Sequence, residues 1–261
     1  MATVAATFAL LLLGIYTAAV GAGLACEGRW PLCDGWLGLF PANWPSFVEW
    51  FHRLIAMLTG FMILGTWIIS WRSNRPRRGV YVLTVAVALL PVQIWLGAET
   101  VLSYETLFLL AHLSSALIIY TGILLGVAWT IDWSRLNQLG IQWVLVGSLA
   151  LAITFTALTR GFLLVIHSPE VQLLYYGIGL LLFTSVVLVT DSAVGSFADR
   201  TLSALSGFAA VLVATRLVIG RFVRTDLVAT IDWAAALVLL VVLFIAVWWV
   251  HSARSPYRLS V

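Results

Sequence analysis

The chain has 261 residues, of which 62% are hydrophobic and only 10% charged, and its net charge at pH 7 is +3. Soluble domains carry about 25% charged residues, so this composition excludes an ordinary soluble domain and indicates a protein that crosses a membrane several times. All fourteen basic residues are arginines placed mostly between apolar stretches. The positive charge is therefore a topology signal and not a footprint for nucleic acid.

Eight apolar stretches are long enough to cross a bilayer, since a spanning helix needs about 20 residues. Most connections between them are short, which favours antiparallel neighbours in a helical bundle. The sequence therefore predicts an all-α polytopic membrane protein. The predicted segments lie at about 4–24, 47–70, 79–102, 107–130, 141–159, 170–190, 201–220 and 227–250.

The arginines predict the orientation, because cytoplasmic connections carry an excess of basic residues. They place both termini on the cytoplasmic side of the cell membrane. On the outer side they place three connections, which hold residues 26–45, Tyr104 and residues 160–169. Arg221 and Arg224 oppose this trend and are outnumbered. The first stretch lacks a positive n-region and is too long for a signal peptide, so we expect a retained helix. The inside arginines are Arg72, Arg75, Arg77, Arg78, Arg135, Arg200, Arg254 and Arg258.

The two halves of the chain resemble each other weakly. When the two halves are aligned with Gly97 opposite Gly220, Gln93 stands opposite Arg216. A gap of three residues in the following loop then places His112 opposite Asp232. The alternative is chance similarity between apolar helices. The repeat predicts two pseudo-symmetric four-helix bundles, at 1–135 and 136–261, of which only the first keeps metal-ligand chemistry.

The second predicted helix begins with a candidate site. Ser46 and Glu49 have the spacing of a capping box, which is one interpretation of Glu49. His52 follows Glu49 by three residues, so both side chains project from one helix face. Arg53 comes next, and it suits either pairing with haem propionates or reaching the lipid headgroups.

A second histidine, His112, lies about six residues inside the fourth predicted helix, as His52 does in the second. At 1.5 Å per residue, each imidazole is predicted about 9 Å below the outer end of its helix. A single histidine in a membrane helix often only bonds to a neighbouring helix. Two at one depth beside a carboxylate instead predict a haem or metal site, because ionisable groups are costly inside a membrane.

The only two cysteines, Cys26 and Cys33, lie in the first outer connection. Their spacing permits a disulfide in an oxidising compartment. A structural staple and a redox role both remain open, and the second needs an accessible thiolate.

Three other ionisable residues are less informative. His167 and His251 are predicted at opposite membrane faces, so they cannot share one iron, and both are interpreted as interfacial. Glu99 lies near the outer end of the third helix, where either proton transfer or an interface position is expected.

These motifs together resemble the haem A synthase family. The resemblance covers residues 1–130 densely and the rest faintly. It rests on residues 23–26 (GLAC), 30–33 (WPLC), 48–53 (VEWFHR), 93–97 (QIWLG) and 111–113 (AHL), in that order.

The resemblance implies an eight-helix bundle that oxidises a ring methyl of haem O to the formyl group of haem A, for use by terminal oxidases. It implies that His52 and His112 ligate the substrate haem, that Glu49 is catalytic and that Cys26 and Cys33 are the loop cysteines. Family members usually hold a second, b-type haem between two histidines of the second half. Asp232 at one such place, and no candidate at the other, argue against that second haem here.

The resemblance also suggests partners. These are haem O, a haem O synthase, a terminal oxidase and an electron acceptor that the sequence does not identify; a homo-oligomer is compatible with the sequence. Three alternatives stay open: a b-type membrane cytochrome that exchanges electrons with quinone, a non-enzymatic haem chaperone for oxidase assembly, and a thiol-oxidising protein that uses the cysteine pair.

Overall fold

The computed structural model describes residues 1–73, 77–103, 105–130, 138–159, 168–195, 199–220 and 226–252. Within these residues all regular structure is helical, and eight helices are long and apolar enough to cross a membrane. The prediction of an all-α polytopic protein is therefore confirmed. The helices are α1 (Ala2–Ala19), α2 (Trp44–Arg72), α3 (Arg77–Leu102), α4 (Thr106–Ala128), α5 (Gln138–Ala157), α6 (Pro169–Gly195), α7 (Arg200–Ile219) and α8 (Asp226–Ser252).

Several predicted boundaries differ from the structure by three to five residues, among them the two that flank the first connection. Helix α1 ends at Ala19, five residues before the predicted end, and the chain then turns through Gly21 at a φ of 72°. Helix α2 begins at Trp44, because the side chain of Asn43 accepts a hydrogen bond from the N–H of Ser46 at 3.0 Å. Asn43 is the cap, so the predicted capping box of Ser46 and Glu49 does not form.

The chain divides into two compact units, the first comprising Met1–Thr130 and Ile166–Tyr176 and the second Ile131–Val165 and Gly177–Val261. In the first unit, α1 packs on α2 and α4, and α3 packs on α2 and α4. Gly122 brings α4 against α3, since a Cβ there would lie 2.9 Å from the carbonyl oxygen of Val82. Small residues at such contacts let membrane helices approach closely.

The second unit is built on α8, which packs against α5 and α7. Its core is aliphatic, because helices without an aqueous interior bury their apolar sides on one another. The cluster comprises Ile141, Leu145, Val189, Leu202, Ala246 and Val250.

Candidate functional site

The first unit contains both predicted histidines, His52 on α2 and His112 on α4. Each ring lies against a glycine of a neighbouring helix. A Cβ on Gly14 of α1 would lie 3.0 Å from Cε1 of His52, and a Cβ on Gly97 of α3 would lie 3.1 Å from Cε1 of His112. All four helices of this unit therefore contribute to the pocket around the two rings.

The Nδ1 atoms of both histidines are buried and have no hydrogen-bond partner among the described residues. An unpaired buried nitrogen is costly, so two of them in one unit indicate that these rings are placed for a group that the protein itself does not supply. On the other nitrogen, Nε2 of His112 lies 3.3 Å from Nε2 of Gln93. An amide nitrogen only donates, so in this contact Nε2 of His112 is the acceptor and its lone pair is engaged by Gln93.

The donor set suits an iron porphyrin better than a bare metal ion. A protein site for a bare metal ion needs three or more His, Cys, Asp or Glu side chains close together. Among the described residues, one such group has its ligand atoms within 4.8 Å of one another, namely Cys26, Cys33 and Asp34. The two histidines therefore have no third protein ligand beside them. A porphyrin supplies four nitrogens of its own and needs only axial ligands, which two imidazoles can provide.

Glu49 lies one turn before His52 and is 2% exposed. Its Oε2 accepts a hydrogen bond from the backbone N–H of Cys26 at 2.8 Å, and its Oε1 accepts one from Nη2 of Arg53. A buried carboxylate is tolerated only with such partners. Glu49 is thus fixed between the cysteine loop and its own helix.

Arg53 holds the loop as well as Glu49. Its Nη1 donates toward three backbone carbonyls, those of Arg29 at 3.0 Å, Pro31 at 3.1 Å and Leu32 at 2.7 Å. Sequence reasoning missed this clamp, because backbone carbonyls leave no signal in a sequence. Pairing of Arg53 with haem propionates stays a prediction, and it would compete with these contacts.

Cys26 and Cys33 form a disulfide with Cα atoms 4.5 Å apart. Both residues are fully buried, so the accessible thiolate that a redox role needs is missing in this state, and the staple interpretation is favoured.

The polar partners beside the disulfide were not predicted. Ser46 Oγ donates to Asp34 Oδ2 at 2.8 Å, and Asp34 Oδ1 lies 3.1 Å from Sγ of Cys33. An aspartate directly after a cysteine and before a glycine was the one available signal, since such residues favour turns.

Two of the remaining predicted residues lie in helices that the structure describes, His251 in α8 and Glu99 in α3. His251 Nδ1 is 3.2 Å from Nε2 of Gln142, which joins α8 to α5. Glu99 is half-buried in α3. His167 lies outside the described residues, as do Tyr104, Arg135 and Arg221.

In the second unit, the residues matched to Gln93 and His112 form an ion pair. Arg216 Nε donates to Asp232 Oδ1 at 3.0 Å, and both side chains are at most 1% exposed. The guanidinium also donates to Thr159 Oγ1 at 2.6 Å, and it lies over the ring of Phe155 at 4.5 Å. Gln93 with His112 and Arg216 with Asp232 thus each join two helices of one unit. The repeat itself stays a prediction.

A second haem does not fit this arrangement. The second unit contains one histidine, His251, nineteen residues beyond Asp232 on the same helix, which is about 28 Å along its axis. Asp232 is occupied by Arg216, and the aromatic ring of Phe155 lies against the guanidinium. No imidazole pair is available here to clasp an iron.

Comparisons with known proteins point to haem biosynthesis. No protein-family model matches the chain, and no solved structure matches it. A protoheme IX farnesyltransferase of Halobacterium salinarum is 37% identical over 138 residues, which are 52% of this chain and 30% of the relative. A heme A synthase of Bacillus licheniformis is 31% identical over 126 residues, 47% of this chain and 41% of the relative, and one of Bacillus pumilus is 29% identical over 130 residues.

The matches thus span about half of this chain and less than half of each relative's length. The chain is a multi-pass helical membrane protein related to proteins of haem biosynthesis.

Proposed function

We propose that the chain is a haem A synthase, which oxidises a ring methyl of haem O to a formyl group in its first unit. The observation that carries this proposal is that His52 and His112 of the first unit each have a buried, unpartnered Nδ1, with the buried carboxylate of Glu49 one helical turn before His52. The heme A synthases among its relatives support it.

In this proposal, haem O is the substrate and His52 and His112 are the axial ligands that orient it. The glycines at 14 and 97 leave the imidazoles room against their helices. The macrocycle supplies the oxidative chemistry. What the chain supplies is orientation of the ring edge, exclusion of water and a fixed acid–base group.

Glu49 is proposed as the group that acts on the reacting methyl. Converting a methyl to a formyl group with water as the oxygen source removes four electrons from the carbon and releases four protons, so an electron acceptor must be a further partner. Each carboxylate oxygen has a second lone pair besides those used by Cys26 and Arg53. Glu49 can therefore accept a proton or stabilise positive charge that develops on the carbon.

Farnesyl transfer, named in other relatives, is the second candidate. A transferase of this kind must hold a diphosphate leaving group, which calls for Mg²⁺ on carboxylates or for free arginines. In the described part of the first unit, Asp34 contacts Ser46, and Glu49 contacts Arg53. The match also covers only 30% of the farnesyltransferase, so the name of the whole relative need not describe the shared part.

A b-type cytochrome that exchanges electrons with quinone would also use two imidazoles. Glu49 distinguishes the two proposals, since electron transfer through a bis-histidine haem needs no buried carboxylate. A haem chaperone for oxidase assembly would likewise not depend on Glu49.

The proposed location is the cytoplasmic membrane, with both termini inside and the cysteine loop outside. The arginine distribution supports this orientation, and so does the disulfide, because disulfides persist in oxidising compartments. Haem O synthase and a terminal oxidase are the partners that this function requires.

The test is co-production of the chain with a haem O synthase, followed by extraction and mass analysis of the haems. We expect haem A with the native chain and only haem O with Glu49→Gln. A matched control is His251→Ala, which alters a histidine outside the site. Haem A formation by the Glu49→Gln variant at the native rate would contradict the proposal, and farnesylation of protohaem by the chain alone would establish the second candidate.

A further inference from the structure

The connection between α1 and α2 exposes large apolar side chains. Trp36 is 70% and Leu37 67% exposed, and the ring of Trp36 lies 5.6 Å from that of Phe40. We call residues 36–40 the aromatic tip. Exposed apolar patches of this kind mark interaction sites. The large exposed apolar residues of the connection are Val20, Leu24, Trp30, Leu32, Trp36, Leu37, Leu39 and Phe40.

The tip is presented by an ordered frame. The Cys26–Cys33 disulfide closes its base, and the N–H of Cys33 donates to the carbonyl of Gly38 at 2.8 Å. A Cβ on Gly35 would lie 2.0 Å from the carbonyl oxygen of Phe40, so only glycine allows this close turn. The apolar side chains therefore point outward because the frame directs them there.

Leu37 has a φ of 57°. That left-handed conformation is unfavourable for a bulky side chain and common for glycine or asparagine. Glu27 of the same loop has a φ of 54°, so the strain is not specific to the tip. The loop nevertheless holds the bulky apolar side chain of Leu37 at an exposed position despite the backbone strain.

The tip carries no charge. Residues 35–42 (GWLGLFPA) contain no ionisable side chain. Asp34 is buried, and the exposed Glu27 and Arg29 pair with each other at 3.0 Å elsewhere on the loop. An uncharged surface of tryptophan, phenylalanine and leucine is the composition of a membrane interface.

We propose that the aromatic tip inserts into the boundary between headgroups and acyl chains of the bilayer, beside the ends of α1 and α2. Helix α1 ends and α2 begins at this loop, and both are long and apolar enough to cross a membrane. The tip therefore lies near one surface of the bilayer. The first turns of α2 also expose aromatic rings, those of Trp44, Phe47 and Phe51. The ring centroids of Trp44 and Phe47 lie 5.4 Å apart, and those of Phe47 and Phe51 lie 5.7 Å apart. The lipid contact does not depend on the haem chemistry proposed above.

The test uses the full chain in phosphatidylcholine nanodiscs that contain a phosphatidylcholine with a diazirine in its acyl chain near the headgroup. After illumination, lipid adducts are located by mass spectrometry. We expect adducts on residues 36–40 and on Leu107, an exposed residue in the first turn of α4, and none on residues 27–29.

The double variant Trp36→Ser and Leu37→Asn should lose the tip adducts, falling to the level of residues 27–29. Asparagine adopts the left-handed conformation readily, so the disulfide should still form, and its mass verifies this. Trp143→Ser, an exposed tryptophan of α5, should leave tip labelling unchanged. The proposal is overturned if Leu107 is labelled and the tip is not, or if residues 27–29 are labelled as strongly as the tip.

Discussion

The backbone N–H of Cys26 donates a hydrogen bond to Oε2 of Glu49 at 2.8 Å. Because Arg53 holds the other carboxylate oxygen and also three carbonyls of the same loop, the loop and the carboxylate form one hydrogen-bonded unit. A disturbance of the loop should therefore be transmitted to the group proposed to act on substrate.

Opening the disulfide tests this coupling. The variant with both Cys26→Ala and Cys33→Ala should make haem A about tenfold more slowly, since a hydrogen bond to a charged group contributes about 1.5–3 kcal/mol. The haem content of the purified chain should stay near native, because His52 and His112 are untouched. Arg29→Ala is the control, since it removes only an exposed ion pair, whose contribution is small. Equal rates for the cysteine variant and the native chain would contradict the coupling.

Replacement of Glu49 separates chemistry from haem binding. Glu49→Gln keeps an acceptor for the N–H of Cys26 and removes the charge, so the loop should stay in place. We expect haem A formation to fall by about a hundredfold or more, the usual contribution of a positioned acid–base group. The ratio of bound haem to protein should be unchanged, and loss of haem in this variant would show that Glu49 acts in binding instead.

The glycines beside the imidazoles should be intolerant of a methyl group. Gly14→Ala and Gly97→Ala place a Cβ 3.0 Å and 3.1 Å from a ring carbon, so each ring must shift and haem affinity should drop. Gly65→Ala in α2, where a Cβ would contact nothing within 4 Å, should be neutral or stabilising by about 0.5–1 kcal/mol. Haem titration of the three variants checks this, and equal affinities would contradict the packing.

The buried ion pair of the second unit should matter for stability and not for product. Asp232→Ala leaves the guanidinium of Arg216 without its carboxylate and should destabilise the unit by about 3–5 kcal/mol. The double variant Arg216→Met and Asp232→Leu should recover most of that loss, because it removes both charges. Thermal unfolding in detergent measures the effect. Two haems per purified chain would contradict the conclusion that the second unit has no pair of imidazoles for a haem.

Much of the helical layout could be predicted because spanning helices need long apolar runs, and eight such runs exist. The first connection could not be placed as well. Helix α1 ends at Ala19, although uncharged and mostly apolar residues continue to Ala25, so hydropathy carried no signal for that end. At the other end of the connection Asn43 caps α2, and Ser46 is a residue type that caps helices equally well.

The site was predictable only at the level of residue types. His52, His112 and Glu49 stand out because ionisable groups are rare in spans. The contacts of Arg53 with loop carbonyls, and of Asp34 with Ser46, depend on a loop conformation that no periodic pattern encodes. The alignment matched Arg216 with Gln93 and Asp232 with His112, yet the ion pair between Arg216 and Asp232 emerged only from their geometry.

The most direct test of the central claim uses the purified variants His52→Ala and His112→Ala. The visible absorption spectrum of each intact variant is recorded, and its haems are then extracted and identified by mass. We expect both variants to lose the low-spin spectrum of an iron held between two imidazoles and to yield no haem A, whereas His251→Ala keeps both. A native spectrum together with native haem A in either His52→Ala or His112→Ala would contradict the account.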